Sequence, residues 1–244
     1  MIRLHRDRTV VDLERRLFLR RSLSLGALSL LTGCDITDQH AVDAVLRAIS
    51  RWNDRVGAWL FDPNRLAPTY PDSAVTRPFR YNGFYPPEQA PAIDGERWRL
   101  ELAGLIEDKR PWTVRQLAAL PQQTQITKQI CIEGWSVIGK YTGVPLRDFL
   151  RRVGGDTSAR YVGFKCADGY YGSLDMPSAL HPQTQLNLVF DDQTLPRPYG
   201  YPLRIRVPTK LAFKSPKFVV ALFVTNRYPS GYWEDRGYNW FSGL

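Results

Sequence analysis

The 244-residue chain has few of the residues that most often bind metals or act as nucleophiles: three cysteines, three histidines and two methionines. A zinc site or an iron–sulfur cluster made by cysteine and histidine alone is therefore excluded, because both need several clustered ligands. A cysteine hydrolase needs a histidine base, and beyond residue 33 only His40 and His181 remain. The apolar stretch 23–31 near the N-terminus is too short to span a bilayer, which takes ~20 residues.

The chain also has only a moderate excess of positive charge. The whole chain has a formal net charge of +9, and residues 1–33 contribute seven arginines against three carboxylates. The remainder, with 26 basic and 21 acidic residues, has a net charge of +5 and contains no arginine-rich helix or aromatic–basic repeat. We therefore expect no nucleic-acid partner. The residual charge suits an anionic membrane surface, an anionic cofactor or an acidic electron-transfer partner.

The N-terminus has the pattern of an export signal. The segment 15–20, Arg-Arg-Leu-Phe-Leu-Arg, resembles a twin-arginine signal, and Leu31-Thr32-Gly33-Cys34 resembles a bacterial lipobox. This pattern predicts a leader over 1–33, export in the folded state to the periplasm or the outer face of the cell membrane, and a lipid anchor on Cys34. An ordinary amphipathic N-terminal helix and cleavage without lipidation are the alternatives.

The segment 40–60 has apolar residues three and four positions apart, which predicts an amphipathic helix. Asp38 is a plausible N-cap, and we expect the helix to pack its apolar face against the core. A proline-rich, extended run follows over 63–91. Residues 34–77 are therefore interpreted as a helix and linker, and residues 78–244 as one catalytic domain.

From residue 98 the pattern favours short strands separated by turns, as 18 prolines and 18 glycines also indicate. The fold class predicted is α+β, mixed and β-rich, with a leading N-terminal helix. The expected strands are 98–102, 125–131, 161–166, 186–190, 203–207 and 217–225, and the expected short helices are 114–120 and 145–153. The aromatic tail 228–241 either walls a substrate entrance or closes the core, and the second is favoured.

Cys131 lies where a predicted strand meets a glycine-containing turn, a place where loops build sites. Its thiol has three interpretations: a nucleophile, half of a disulfide with Cys166, or a ligand to a metal whose other ligands come from a cofactor. Glu133, two residues on, falls on the same face if the segment is extended, and it is a candidate proton donor.

Three separated blocks carry a resemblance to a known family. They are 81–85 (Tyr-Asn-Gly-Phe-Tyr), 131–137 (Cys-Ile-Glu-Gly-Trp-Ser-Val) with 143–146, and 199–208 (Tyr-Gly-Tyr-Pro-Leu-Arg-Ile-Arg-Val-Pro) with 210 and 213–217. In this order they resemble the sulfite-oxidase-type molybdopterin-dependent oxidoreductases. The bacterial periplasmic branch that includes the methionine-sulfoxide reductase catalytic subunit is the most similar.

The resemblance implies a sulfite-oxidase-type fold with one molybdenum–molybdopterin per chain, and it implies a set of site residues. Cys131 would be the thiolate on the metal. The other cofactor-binding positions implied are Asn82, Tyr85 and Pro86 along the pterin, Arg204 with Ser215, Pro216 and Lys217 at the phosphate, and Cys166 and Tyr199 nearby. At these last two positions the periplasmic relatives have threonine and asparagine.

The function implied is a two-electron oxygen-atom transfer in the cell envelope, on a small-molecule or protein-bound sulfoxide or related S-oxide. Oxidation of sulfite and a metal-free envelope lipoprotein that binds a partner are the alternatives. Electrons would pass through a separate protein, such as a membrane haem protein. No dimerisation domain follows the last block, so we expect a monomer.

Overall fold

A computed structural model describes residues 39–244 of the chain, so the predicted leader, Cys34 and Asp38 lie outside the described part. Contacts divide the chain into residues 1–49 and 50–244, and every strand belongs to the second unit. Strands and helices are numbered below in chain order.

The first sheet has four strands, and all its pairings are antiparallel except one. Its order is β1 (Glu101–Gly104), β9 (Val219–Thr225), β4 (Tyr161–Cys166) and β5 (Tyr171–Asp175). The exception is β1, which runs parallel to β9. The hairpin of β4 and β5 ends in a turn that begins at Cys166.

The second sheet has five strands and carries the other cysteine. Its order is β2 (Gln123–Ile130), β3 (Ser136–Pro145), β6 (Gln185–Phe190) and β7 (Gln193–Thr194), with β8 (Arg204–Arg206) paired to β6. All these pairings are antiparallel. The hairpin of β2 and β3 ends in the turn that holds Cys131.

Four helices accompany the sheets: α1 (Gln39–Leu60), α2 (Val114–Ala118), α3 (Leu146–Arg152) and α4 (Met176–Ala179). Thr113 caps α2 through a capping box with Gln116, and Asp175 caps α4 by accepting from Ser178 N–H. None of the helices in the described residues is long and apolar enough to cross a membrane.

The core lies between the sheets and under the short helices. Its buried apolar side chains come from alternate positions of the strands, as expected for sheets with one covered face. A second, aromatic cluster contains Phe79, Tyr141 and Phe190, with Tyr199 against it. This cluster lies next to β8 through Tyr141, whose ring is 5.2 Å from the Arg204 guanidinium.

The α+β prediction is confirmed, but the sequence pattern missed β3, β5, β7 and α4. Gly139 and Gly143 lower the β propensity of β3. Gly143 is required there, because a Cβ would lie 2.1 Å from the carbonyl oxygen of Leu186 on the paired strand. The predicted strand 98–102 is shifted to Glu101–Gly104, since Leu100 makes only an isolated bridge to Trp112.

The prediction that α1 packs its apolar face on the core is wrong, although the helix itself is present. Trp52 is 62 % exposed, Trp59 82 % and Leu60 67 %. Residues 50–60 of the helix, which belong to the second unit, contact the rest of that unit through polar groups: Asp54 accepts from Phe241 N–H at 2.6 Å, and the Ser50 carbonyl accepts from Asn239. The core clusters contain buried side chains of α2, α3 and α4 and none of the described side chains of α1.

Candidate active site

The turn after β2 places Cys131 at the edge of a cavity. Cys131 N–H donates to the Trp135 carbonyl at 2.9 Å, and Gly134 N–H donates back to the Cys131 carbonyl at 3.1 Å. Gly134 has φ +87°, a left-handed conformation that favours glycine. Burial raises the pKa of the Cys131 thiol, while the Glu133 N–H opposes that shift. Without a metal, this thiol is therefore protonated at neutral pH.

The extended segment that was expected to put Glu133 on the same face as Cys131 is not present, because residues 132–134 form the turn. Glu133 still lines the cavity. Its side chain is exposed, and Oε2 accepts from the Trp135 indole at 2.7 Å. Arg80 lies 4.6 Å above the same indole ring. A carboxylate so placed is open to solvent and remains a candidate proton donor.

A cavity of about 190 Å³ brings together residues from six segments of the chain. Eight of the predicted site residues line it: Asn82, Tyr85, Cys131, Glu133, Arg204, Ser215, Pro216 and Lys217. Three do not: Pro86, Cys166 and Tyr199. The upstream loop, the β2–β3 turn, β8 and the loop before β9 therefore meet at one site, as the order of the three sequence blocks implied.

Arg204 and Lys217 place two basic side chains at this cavity, and neither is in salt-bridge contact with the carboxylates Glu133 and Asp168 that also line it. Arg204 is 1 % exposed and donates to Gln129 at 2.8 Å and to the Tyr141 hydroxyl at 3.1 Å, and its Nε has no partner. Lys217 donates to the Pro198 carbonyl at 3.0 Å. Neither forms a salt bridge with any described residue. A buried cation without an anion is unfavourable, so the site calls for an anionic ligand.

Burial lowers the pKa of Lys217 to about 7, and the Arg204 charge lowers it further, while Asp168 opposes the shift. A phosphate would reverse this effect, because an anion close to an ammonium group stabilises its charged form. Gly200, with φ +117°, allows the close approach of Lys217, since a Cβ there would lie 3.0 Å from Lys217 Cβ. Lys217 is thus held at a position where a bound anion would raise its pKa and keep its ammonium group charged.

The loop that carries Ser215 and Pro216 is fixed against β8. Val207 N–H donates to Ser215 Oγ at 3.1 Å, and Ile205 N–H donates to the Pro216 carbonyl at 2.9 Å. These two bonds hold the loop beside Arg204. A guanidinium, an ammonium and a hydroxyl that converge in this way form a suitable site for a terminal phosphate.

Cys166 begins a second turn of the same kind, after β4, but its side chain does not line the cavity. Burial raises the pKa of this thiol well above its ordinary value. Asp168 and Tyr170 from this turn do line the cavity. Asp168 accepts from the Tyr85 hydroxyl at 2.8 Å and from Tyr170 N–H at 3.1 Å, so both of its oxygens are engaged.

The sequence reasoning missed Asp168, although a signal existed. Residues 166–170, Cys-Ala-Asp-Gly-Tyr, repeat the pattern of residues 131–135, Cys-Ile-Glu-Gly-Trp: cysteine, any residue, an acid, glycine and an aromatic residue. Tyr199 does not line the cavity but contacts a residue that does. Its hydroxyl donates to the Phe79 carbonyl, and its own carbonyl accepts from Arg204 at 3.3 Å. Pro86 precedes a 3-10 turn. Cofactor contacts for Pro86, Cys166 and Tyr199 stay predictions.

The aromatic tail both closes the core and lines the cavity. Phe241 is buried, whereas Trp233 and Tyr238 are on the lining. Phe84, also on the lining, stacks on Tyr232 with ring centroids 5.0 Å apart. The preference for a purely core-closing tail was therefore incomplete.

The two non-metal interpretations of Cys131 receive no support from this geometry. Both Cys131 and Cys166 are free thiols. His181 is hydrogen-bonded to the Arg65 carbonyl at 3.1 Å and to Gln183 N–H at 3.2 Å, and it is not on the cavity lining. Among the residues whose side chains are described, no histidine stands beside the thiol as a base.

Comparison with known proteins identifies the class. Residues 87–233 match the family model described as "Oxidoreductase molybdopterin binding domain", and the chain belongs to that family. It is therefore a molybdopterin-dependent oxidoreductase with a sulfite-oxidase-type fold. The matched segment falls within the catalytic domain predicted over 78–244.

Relatives within the family are similar over most of the chain. A protein of Azospira oryzae named "Putative protein-methionine-sulfoxide reductase subunit YedZ1" is 59 % identical over 229 residues, covering 94 % of this chain and 87 % of that protein. The protein-methionine-sulfoxide reductase catalytic subunit MsrP of Ralstonia nicotianae is 29 % identical, covering 82 % and 74 %. The crystal structure of the sulfane dehydrogenase SoxCD from Paracoccus pantotrophus matches with a TM-score of 0.53 at 21 % identity, over 57 % of this chain and 40 % of that one, which supports the fold alone.

The residues present fit the molybdopterin cofactor. The buried Arg204 with its unpartnered Nε, and Lys217 beside it, would hold the phosphate. Cys131 would be the thiolate on the metal, a soft ligand suited to a metal already bound by sulfur. Cys131 alone could not hold a metal: the described residues contain no group of three or more histidine, cysteine or carboxylate side chains placed for that purpose.

Proposed function

We propose that this chain reduces methionine sulfoxide, free or within proteins, as an enzyme of the cell envelope that receives electrons from a separate protein. The observation that carries the proposal is one cavity lined by both the Cys131 thiol and the basic side chains Arg204 and Lys217, neither of which forms a salt bridge with a described residue. The names of the relatives from Azospira oryzae and Ralstonia nicotianae support this choice of substrate.

The reaction is the conversion of a sulfoxide, two protons and two electrons into a thioether and water. When bound, molybdopterin supplies the oxygen-atom transfer and the two-electron exchange. Cys131 would hold the metal at the cavity wall. Glu133 is exposed to solvent at the same wall and would supply a proton to the oxygen that leaves as water.

The lining favours a neutral sulfur compound over sulfite. After Arg204 and Lys217 are assigned to the phosphate, the charged residues left on the lining are Glu133 and Asp168, and these repel an anion. The aromatic residues Phe84, Trp233 and Tyr238 provide faces and edges on which a thioether sulfur and its methyl group pack well. Phe84 is 44 % exposed and would contact a methionine side chain arriving from a protein surface.

The envelope location and the partner rest on the sequence and on the relatives' names. The twin-arginine and lipobox patterns over residues 15–34 support export in a folded state and a lipid on Cys34. The words "subunit" and "catalytic subunit" in those names support a separate electron-transfer partner. A membrane haem protein would bring electrons to the same surface on which the chain is anchored.

The test is an assay in both directions with the protein purified from a molybdopterin-competent host. We expect about one molybdenum per chain and reduction of methionine sulfoxide by a reduced artificial donor. Oxidation of sulfite with an artificial acceptor should be slow in comparison. Sulfite oxidation exceeding sulfoxide reduction would reject the substrate, and protein without molybdenum would favour the metal-free binding protein instead.

A further inference from the structure

The face of α1 that the core leaves uncovered is strongly apolar and aromatic. Within residues 50–60 it presents Trp52 at 62 % exposure, Trp59 at 82 % and Leu60 at 67 %. By helical periodicity Val45 and Ile49, 59 % and 51 % exposed, continue the same stripe toward the N-terminus of the helix. Such a stripe is too large to be a random scatter of exposed apolar residues, so it indicates an interaction surface.

The charges of this helix are arranged beside the stripe and are mostly positive. Arg47, Arg51 and Arg55 follow each other at four-residue intervals and form one row. Of the two acids, Asp43 pairs with Arg47 at 3.6 Å, and Asp54 is turned toward the body, where it accepts from Phe241 N–H. The outer side of the helix therefore combines an apolar stripe with a row of guanidinium groups, of which Arg51 and Arg55 form no salt bridge with a described residue.

We infer that α1 lies in the interfacial plane of an anionic phospholipid bilayer. A helix with a pronounced apolar face, low overall hydrophobicity and arginines beside that face binds at the lipid–water boundary without crossing it. Trp52 and Trp59 lie at the edge of the stripe nearest the arginine row. Indole rings prefer the level of the lipid headgroups, so both tryptophans suit this position. The arginines then meet lipid phosphates. This contact is additional to any lipid on Cys34 and independent of the reaction catalysed.

The polar edge of α1 keeps the rest of the unit attached while the stripe faces the bilayer. Ser50 and Asp54 hold residues 239 and 241, and a Cβ at Gly57 would be 2.8 Å from the Phe241 ring, so the helix approaches the C-terminal segment closely there. Trp59 and Trp52 contribute nothing to that contact. Their replacement should therefore leave the folded unit intact.

The experiment is flotation of the full chain with vesicles of phosphatidylcholine alone or with phosphatidylglycerol. Every protein carries Cys34→Ala, so that no acyl chain contributes and the leader is the same throughout. We expect the parent to bind anionic vesicles and Trp52→Ser/Trp59→Ser to lower its partition at least about tenfold. Replacing Arg47, Arg51 and Arg55 by glutamine should cost about fivefold each on anionic vesicles and little on neutral ones.

Leu105→Ser is the matched control, because Leu105 is an exposed apolar residue, 43 %, outside the helix. It should leave binding unchanged, and circular dichroism should show all variants folded. Quenching of tryptophan fluorescence by brominated lipid should fall in the double tryptophan variant. Equal binding by parent and double variant overturns the inference. So does a stripe that pairs two copies of the chain, seen as a Trp-dependent dimer that fails to bind vesicles.

Discussion

Two turns of the same construction hold the two described cysteines, and only one of them presents its thiol to the cavity. In each turn the cysteine N–H donates to the carbonyl of the aromatic residue four positions on, at 2.9 Å, and the glycine N–H returns to the cysteine carbonyl. The cysteines are almost equally buried, Cys131 at 8 % exposure and Cys166 at 7 %. What differs is the surroundings: Cys131 lines the cavity, whereas Cys166 packs into the main core cluster. Local sequence thus sets the turn, and packing sets the role of the thiol.

The acidic residues of the two turns also differ in their surroundings. Glu133 is exposed and contacts the Trp135 indole, whereas Asp168 uses both oxygens to hold Tyr85 and the Tyr170 backbone. An acid with solvent access can cycle protons. An acid fully engaged in hydrogen bonds positions its neighbours instead.

The largest expected effect comes from exchanging the thiols. Cys131→Ser should remove the metal ligand and lower both the molybdenum content and the sulfoxide reductase activity by more than about 100-fold. Cys166→Ser should lower the same two quantities by only about 10–100-fold, the loss expected when a residue that supports a metal site without binding the metal is replaced. Metal analysis and activity on the same preparations separate the two. Equal losses in both variants would show that the turns are functionally equivalent.

The second comparison exchanges the acids. Glu133→Gln should lower kcat about 100-fold with little change in KM, since it removes a proton donor. Asp168→Asn should change KM more than kcat, because it loosens Tyr85 on the cavity wall. Separate determination of kcat and KM is the discriminating measurement: kcat should fall strongly in Glu133→Gln only. An unchanged kcat in that variant would remove Glu133 from the mechanism.

The third comparison concerns the glycines, Gly134 with φ +87° and Gly169 with φ +81°. An added Cβ meets no atom within 4 Å at either position, so alanine costs only backbone strain, about 1–2 kcal/mol in the free energy of unfolding. Denaturant unfolding should show similar losses for Gly134→Ala and Gly169→Ala. Molybdenum content should fall in Gly134→Ala alone, because only that turn carries the metal ligand.

The smallest effect is in thiol reactivity of the cofactor-free protein. Burial raises the pKa of both thiols, most strongly that of Cys166, so both are protonated at neutral pH and the reactive thiolate increases as the pH rises. Iodoacetamide should label Cys131 slowly at neutral pH, faster in alkaline buffer, and ahead of Cys166 throughout. Peptide mass spectrometry gives both rates. Rapid labelling of Cys131 at neutral pH would revive the nucleophile interpretation.

Much of the fold was predictable where apolar residues alternate without interruption. The strand at Tyr161–Cys166 was predicted with its bounds, and the strands around Leu186 and Val219 within two residues. The glycine-rich strand Ser136–Pro145 was not, because its stability comes from pairing with both neighbours rather than from its own residues. In the site, Cys131, Arg204 and Lys217 were predicted from separated motifs. Asp168 was not: the pattern shared with residues 131–135 points to it, but only the folded hairpin brings it to Tyr85.

Short-range patterns of glycine, charge and apolar spacing were enough to predict the family, the turn after Cys131 and the N-terminal helix. The folded chain was needed to show which thiol faces the cavity, which acid stays free and which face of the helix remains uncovered. Those outcomes depend on which surfaces meet when distant strands pack together, and burial, unlike helical periodicity, is not a property of any single segment.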